Sequence, residues 1–357
     1  MVKRVVILLL VATLTGCAGN RDAGTAAADA NQMATLPSGA ALTAGANLPA
    51  AKPLATKTTL KVGIPSKLEV EIPALLADAE GEFAKENLSV TFVHDTVPNL
   101  LTLLGQDRID LAYAGAQALV FNSLRRGVPI RWVSGVSAGS PDAGIYMANR
   151  YGPLASWNPA TLKGKNIGVN PGGLAAPSEY SLYAALTTAN LKPTDVTMTT
   201  FADPASMAQA LVKGTIDGAT LGPPYTATVK PDAFLAQGAT SGLQIAGYFA
   251  TTRLLGTNRD AGVAFFRALE RTVNTHLTGN YHADAAVMAK IAQLLGTTTA
   301  SLGASPAVVF DFGVPAASLP RLQDMYRSVP GTLQYEDTVE ASELIDLSLV
   351  VDAAQGR

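Results

Sequence analysis

The sequence predicts an α/β protein of two similar lobes, each a βαβ-based sheet with flanking helices, with a cleft between the lobes. Three observations carry this. The chain has 357 residues, more than one hydrophobic core usually organises, so two packed units are expected. Strand and helix patterns alternate along residues 58–222, the signature of strand–helix–strand units. The same order of elements then returns about 105 residues further along.

The N-terminus stands apart from this pattern. Lys3 and Arg4 precede the apolar run Val5 to Leu14, which is too short to span a bilayer comfortably, so residues 1–17 read as a secretion signal. The run ends in Leu14-Thr15-Gly16-Cys17, which resembles the lipobox of bacterial lipoproteins. That resemblance implies that Cys17 is lipid-modified, begins the mature chain and anchors it to a membrane through two or three acyl chains. Residues 18–57 hold 14 Ala in 40 positions and no Val, Ile, Phe, Tyr or Trp. Such a stretch buries too little apolar surface to offset ordering and is expected as a flexible tether.

The folded part is expected from Thr58. Leu60 to Pro65 is a short apolar strand ended by a breaker, Pro73 to Glu86 a helix, and Leu88 to Val93 an alternating strand. Asn99 to Leu104 is a short helix, and Ile109 to Gly115 a strand running into a turn. The second copy has a strand at Asn166–Pro171, a helix at Ser178–Asn190, a strand at Val196–Phe201, a helix at Pro204–Lys213 and a strand at Ile216–Gly222. Landmarks keep register: Gly63 and Gly168 are 105 apart, Val90 and Val196 are 106 apart, and Ile109 and Ile216 are 107 apart. The last pair shares Ile-Asp-x-Ala-x-x-Gly. Two βαβαβ halves with parallel sheets follow. Beyond residue 245 the pattern is helical, over Asp260–Leu277, Asp284–Leu295, Ser318–Ser328 and Glu340–Ala353. These helices are expected to pack back on the first lobe.

Composition excludes several functions. A formal net charge of −2 argues against a protein built to coat nucleic acid. One cysteine rules out an intrachain disulfide and a Cys-rich metal site, and His94, His276 and His282 are scattered. No P-loop, dinucleotide fingerprint or Ser-His-Asp arrangement is visible. No catalytic residue, cofactor or metal is therefore expected.

Several short segments, in order, carry a family resemblance. Leu162-Lys163-Gly164-Lys165-Asn166-Ile167-Gly168-Val169 resembles an "LKGKxIxV" strand. Gly214 to Ala219 followed by Pro223-Pro224-Tyr225 resembles a "GxVDAxxxxxPY" stretch. Gly127-Val128-Pro129-Ile130 resembles "GxPV", and Glu343 to Asp346 resembles "xLVD". Together with the lipobox they resemble solute-binding proteins of bacterial ABC importers, in the nitrate/sulfonate/taurine and thiamine-precursor branch. The resemblance covers 58–353 and implies the two-lobed periplasmic binding protein type 2 fold. Lobe one would comprise 58–148 plus 245–357, and lobe two 149–244. It also implies a monomer that captures a small solute, delivers it to ABC permease subunits and performs no chemistry. A sensor or carrier serving a non-ABC system would have the same lobes. An enzyme reading, which the fold admits in a pyrimidine synthase, finds no support in this chain's single Cys and scattered His.

In open α/β sheets ligands sit beyond the carboxyl ends of the strands. That places turns 65–71, 94–98 and 114–118 opposite 170–178, 201–204 and 221–226. Lys67 and Glu69 lie in the first of these. Gly115, Ala116 and Gln117 precede a helix with no Ser, Thr or Asp at its cap, so its free N–H groups would face the cleft. Gly172 and Gly173 either admit a ligand to the backbone or simply make a turn. Ser178 either caps its helix or leaves the cap to Ala176 and a ligand. Glu179 either complements a helix dipole or selects a cationic or N–H-bearing ligand, and Tyr225 offers a ring and a hydroxyl. Asp203, before Pro204, reads as an N-cap, and the duplicated Asp110 and Asp217 read as turn or cap residues. The chain departs from the family at Gly222-Pro223-Pro224-Tyr225, where many members carry an acid, and it has no Arg in the cleft turns. Both departures weaken transfer of a ligand from acid-bearing or sulfonate-binding relatives.

Overall fold

The computed structural model describes residues 49–66, 68–137, 140–240 and 242–356. Cys17, the signal and most of the expected tether lie outside them. Among the described residues no helix is long and apolar enough to cross a membrane.

The strands are β1 (Thr58–Ile64), β2 (Leu88–His94), β3 (Leu111–Gly115), β4 (Ile130–Gly135), β5 (Gly144–Ala148), β6 (Asn166–Val169), β7 (Thr197–Thr200), β8 (Gly218–Leu221), β9 (Ala233–Gly238) and β10 (Ala246–Thr251). They form two five-stranded sheets, ordered β2-β1-β3-β10-β4 and β7-β6-β8-β5-β9. In β1 the apolar alternation Leu60, Val62, Ile64 is fully buried, which fixes the register against β2 and β3.

The helices of seven or more residues are α1 (Ile72–Ala79), α2 (Val97–Gly105), α3 (Ala118–Arg125), α4 (Tyr180–Thr188), α5 (Pro204–Val212), α6 (Arg259–His276), α7 (Ala285–Leu295), α8 (Ser318–Arg327) and α9 (Ser348–Ala354). Pro73, Pro98 and Pro204 sit in the first turns of α1, α2 and α5, where a missing N–H costs nothing. The helix expected over 73–86 is divided, because the chain turns left-handed at Gly81 (φ 70°). The helix expected over 340–353 is also divided. Ile345 leaves helical geometry to bridge to Trp132, and the Asp346 N–H donates to the Trp132 carbonyl at 3.0 Å.

Two features correct the expected sheets. They are mixed rather than parallel, since β10 runs antiparallel to β3 and β4, and β5 runs antiparallel to β8 and β9. Those antiparallel strands each follow a crossing between the lobes. The chain leaves lobe one after β4 and at once supplies β5 to the second sheet, so lobe two begins ahead of residue 149. On returning, it supplies β10 to the first. The two crossings pair at Ala239 N–H to Ala143 carbonyl, 2.9 Å. A third segment braces the lobe-one side of this joint. Gly135 N–H donates to Phe312 O at 2.9 Å, and Gln244 Nε2 donates to the Asp311 and Gly313 carbonyls at 3.3 Å each.

Lobe one's core centres on α6, where Phe265 stacks on Phe83 at 5.3 Å and meets Tyr248 edge-on at 5.5 Å. The chain ahead of β1 is part of this lobe. Residues 49–57, expected to end a tether, instead run along it as a strap. Arg271 Nη1 donates to the Pro49 carbonyl at 3.3 Å, Arg267 Nη2 to Lys52 O at 3.0 Å, and Leu54 N–H to Glu86 O at 2.9 Å. Beneath lies a buried charge cluster. Arg267 forks onto Glu86, while Arg271 donates from Nε to Glu82 at 2.8 Å and also reaches Glu86. The strap's backbone meets hydrogen-bonding capacity that burial would otherwise leave unmet.

The repeated Ile-Asp motif has one job in both lobes. Asp110 accepts the Lys61 N–H at 2.8 Å, and Asp217 accepts the Asn166 N–H at 2.8 Å. Each carboxylate also pairs with an arginine, Arg253 and Arg150 respectively. The motif therefore staples the start of the third strand of each lobe to the first, a structural role.

Candidate ligand cleft

The carboxyl ends of β1 and β3 on one side, and of β6 and β8 on the other, deliver their turns to the space between the lobes. The lobes touch there: a Cβ placed on Gly115 would lie 3.0 Å from Pro177 Cγ of the opposite lobe. At the flank, α8 of lobe one brings Arg321 and Asp324 into electrostatic range of Tyr180 on α4.

Each wall is held from within by a buried glutamate. Glu179 is fully buried; its carboxylate accepts from Asn170 N–H (3.0 Å), Asn170 Nδ2 (2.8 Å), Ser178 Oγ (3.2 Å) and Thr220 Oγ1 (2.5 Å). Burial pushes its pKa up, while those four donors oppose the rise. Glu179 therefore points into lobe two and positions the Asn170–Ser178 turn; it does not offer its charge to a ligand. Glu71 does the same in lobe one. Fully buried, it accepts from Ser66 Oγ at 2.9 Å and Leu68 N–H at 3.2 Å, and burial pushes it up to about 7. Sequence reading passed over Glu71. Glu71 and Glu179 are 108 residues apart, outside the register of the repeat, and share only their place just ahead of α1 and α4.

The other expected site residues divide. Gly115 lies on the contact line between the lobes. Gln117 starts α3 without a side-chain cap, as its sequence suggested, so the first turn's amides carry no side-chain acceptor. Gly172 (φ 99°) and Gly173 (φ 51°) make a left-handed turn in which Asn170 O accepts the Gly173 N–H at 3.0 Å. The turn alone accounts for these two glycines. Ser178 is exposed and is not the cap; Ala176 precedes the 3-10 turn Pro177–Glu179 that leads into α4, whose own cap position is Glu179. Tyr225 is half-buried against the outer core of lobe two.

Two expectations are corrected. Ala116 is fully buried: its N–H donates to Ile245 O at 2.9 Å and its carbonyl accepts the Tyr326 hydroxyl, so no backbone donor is left for a ligand. Glu69 is held inside lobe one, accepting from Tyr281 Oη at 2.6 Å and meeting His282 Nε2 at 2.5 Å. Lys67 lies outside the described residues. Asp203 caps α5 through Ser206 N–H at 2.8 Å, as its sequence suggested. Among the described residues no group of three or more His, Cys, Asp or Glu is placed to hold a metal ion.

Two five-stranded mixed sheets joined by a double crossing of the chain define the periplasmic binding protein type 2 fold. The chain belongs to the NMT1/THI5-like family, whose model matches residues 70–278. No curated protein is matched by the sequence. Among solved structures, the chain resembles the periplasmic aliphatic sulphonate binding protein SsuA from Escherichia coli at 19% identity. That match has a TM-score of 0.60 and covers 82% of this chain and 99% of that one. The periplasmic nitrate-binding protein NrtA from Synechocystis PCC 6803 matches at 14% identity and TM-score 0.56, covering 85% and 90%. The desulfurization enzyme DSZB matches at 14% identity and TM-score 0.56, covering 84% and 99%. At these identities the likeness is one of fold, and the fold serves both binding proteins and an enzyme.

Proposed function

We propose that this protein is an extracytoplasmic solute-binding lipoprotein. Anchored through Cys17 and acting as a monomer, it captures a small organic solute between its lobes and delivers it to ABC permease subunits. The observation that carries the reading is the pairing of an uncapped helix start, Gln117 of α3, with the Gly172–Ser178 turn across one inter-lobe contact. Backbone N–H groups there receive an oxygen-bearing solute from both sides, and the double crossing lets the lobes part and close around it. Gly115, Gln117, Ser178 and Tyr225 form the contact set, and Gly172 and Gly173 shape the turn that brings Ser178 to it. SsuA and NrtA, by their descriptions, bind sulphonates and nitrate. The cleft turns here carry no arginine, so backbone donors take the role a guanidinium would otherwise fill.

The test is a thermal-shift screen of sulfonates, amines, pyrimidines and flavins on protein beginning at residue 49, which keeps the strap. A solute at 100 times its Kd adds about 2.7 kcal/mol of stability and raises Tm. Absence of any shift, with no solute retained on purification by mass spectrometry, would overturn the proposal.

A further inference from the structure

The two buried wall glutamates hold like places just ahead of α1 and α4 but are not equally solvated. Glu179 has four donors spread over both oxygens. Glu71 has one on each oxygen, Ser66 Oγ and Leu68 N–H. A carboxylate can accept about four hydrogen bonds, so Glu71 is buried short of its complement even with the Ser66 backbone N–H, the smallest of its contacts, counted. What faces it does not compensate. Tyr113 of β3 and Tyr248 of β10 lie within electrostatic range of it, both buried, and each phenol is pushed up by burial and further by the Glu71 charge. On its own element, Glu69 is engaged with Tyr281 and His282. No arginine or lysine of the described residues bonds Glu71.

We infer that Glu71 is a proton-responsive positioning residue of the lobe-one cleft wall, its charge state setting how firmly the Ser66 hydroxyl and Leu68 amide are held. Two effects of opposite sign follow. Ionised Glu71 accepts both bonds with charge assistance, roughly doubling their strength; the neutral acid turns one acceptor into a donor and slackens the turn. The wall therefore firms as pH rises through the range near 7 to which burial pushes this group. Overall stability moves the other way. The folded-state value lies above the ordinary value of 4.5, so the native state binds the extra proton between the two. The stability from that proton is full below the lower value and is lost as pH rises through the upper one. The stability trend is shared with Glu270, which burial also pushes up to about 7; the trend at the Leu68 amide belongs to Glu71, whose carboxylate accepts that N–H. The meaning for solute capture rests on the proposed function, but the measurements below need no solute, so the two can fail separately.

The test is hydrogen exchange on the protein, resolved at the Leu68 amide and corrected for intrinsic rate, with thermal melts across the same pH range. Leu68 protection is expected to rise roughly fivefold between about pH 6 and about pH 8, while Tm falls across about pH 5 to 7. In Glu71→Gln, which keeps the shape and cannot titrate, the Leu68 trend flattens and the fall in Tm becomes shallower, the remainder belonging to Glu270. Should that variant not fold, infrared spectroscopy of Glu270→Gln provides the check: with the other glutamate pushed up to about 7 removed, a buried carboxylic-acid band is still lost over the same pH interval. Leu68 protection independent of pH, a Glu71→Gln variant that keeps the Leu68 trend, or absence of the band would overturn the inference.

Discussion

Gly115 offers a direct way to wedge the lobes apart. A methyl at this position would approach Pro177 Cγ to 3.0 Å and Cδ to 3.6 Å, where carbon atoms prefer about 3.5–4 Å. The position lies at the end of β3 without a left-handed backbone, so a valine is tolerated by the chain itself. Its two extra carbons have nowhere to go while the lobes touch. Overpacking of this kind costs about 1–3 kcal/mol, and here the lobes can relieve it by parting. A penalty of about 2 kcal/mol on the closed form lowers apparent affinity roughly thirtyfold. Gly115→Val is therefore expected to enlarge the radius of gyration in X-ray scattering, and to weaken binding of the solute found by screening while Tm of the free protein changes little. Pro177→Ala removes the atoms the valine strikes and is expected to restore most of the affinity in a double-mutant cycle. If Gly115→Val costs the same with and without Pro177, the contact between lobes is not what the glycine serves.

Three further outcomes follow. Arg271→Met leaves Glu82 and the fully buried Glu86 short of a partner and releases the Pro49 carbonyl. Arg267 still holds Glu86, so a loss near the lower end for broken buried pairs, about 3 kcal/mol, is expected in urea unfolding; a loss below about 1 kcal/mol would refute the cluster's role. For Asp217, burial raises the pKa, but the Asn166 N–H, Tyr151 hydroxyl and Arg150 overcome it and leave it net lowered. Its contribution is present above the ordinary value of 3.8 and lost as pH falls below it. Asp217→Asn should therefore lower Tm at neutral pH and flatten the acid limb of stability against pH. Cys17→Ser should move the protein from the membrane to the soluble fraction, and continued membrane retention would count against the anchor.

Legibility in the sequence followed the repeat. β1, β2, β3 and their counterparts β6, β7 and β8 were readable because each has an apolar pattern and a twin. β5, β9 and β10 were not, since each completes a sheet without belonging to a strand–helix–strand repeat. Ala246-Gly247-Tyr248-Phe249-Ala250 is too uniformly apolar to show a strand period. The strap was missed for a different reason. Its composition is that of a linker, and its order comes from partners more than 200 residues away, Arg267 and Arg271. Within the cleft, Gly115 and Gln117 were found from strand-end position alone. Ala116 and Glu69 were misjudged because only tertiary contacts, Ile245 with Tyr326 and Tyr281 with His282, reveal that their polar groups are already engaged.

The double crossing also sets an order of assembly. All five strands of the second sheet lie in one continuous stretch, Gly144 to Gly238, with nothing borrowed from the rest of the chain. The first sheet cannot close until Ala246 reaches Gly115, about 130 residues further back. A chain emerging N-terminus first can complete the inner lobe while the outer one waits with an open edge beside β3. Such a long loop closure is slow, and an unpaired edge invites association with other chains. The vulnerable species in this protein's biogenesis is thus a folded lobe two attached to an unfinished lobe one, and substitutions in β10 should reduce yield before they alter binding.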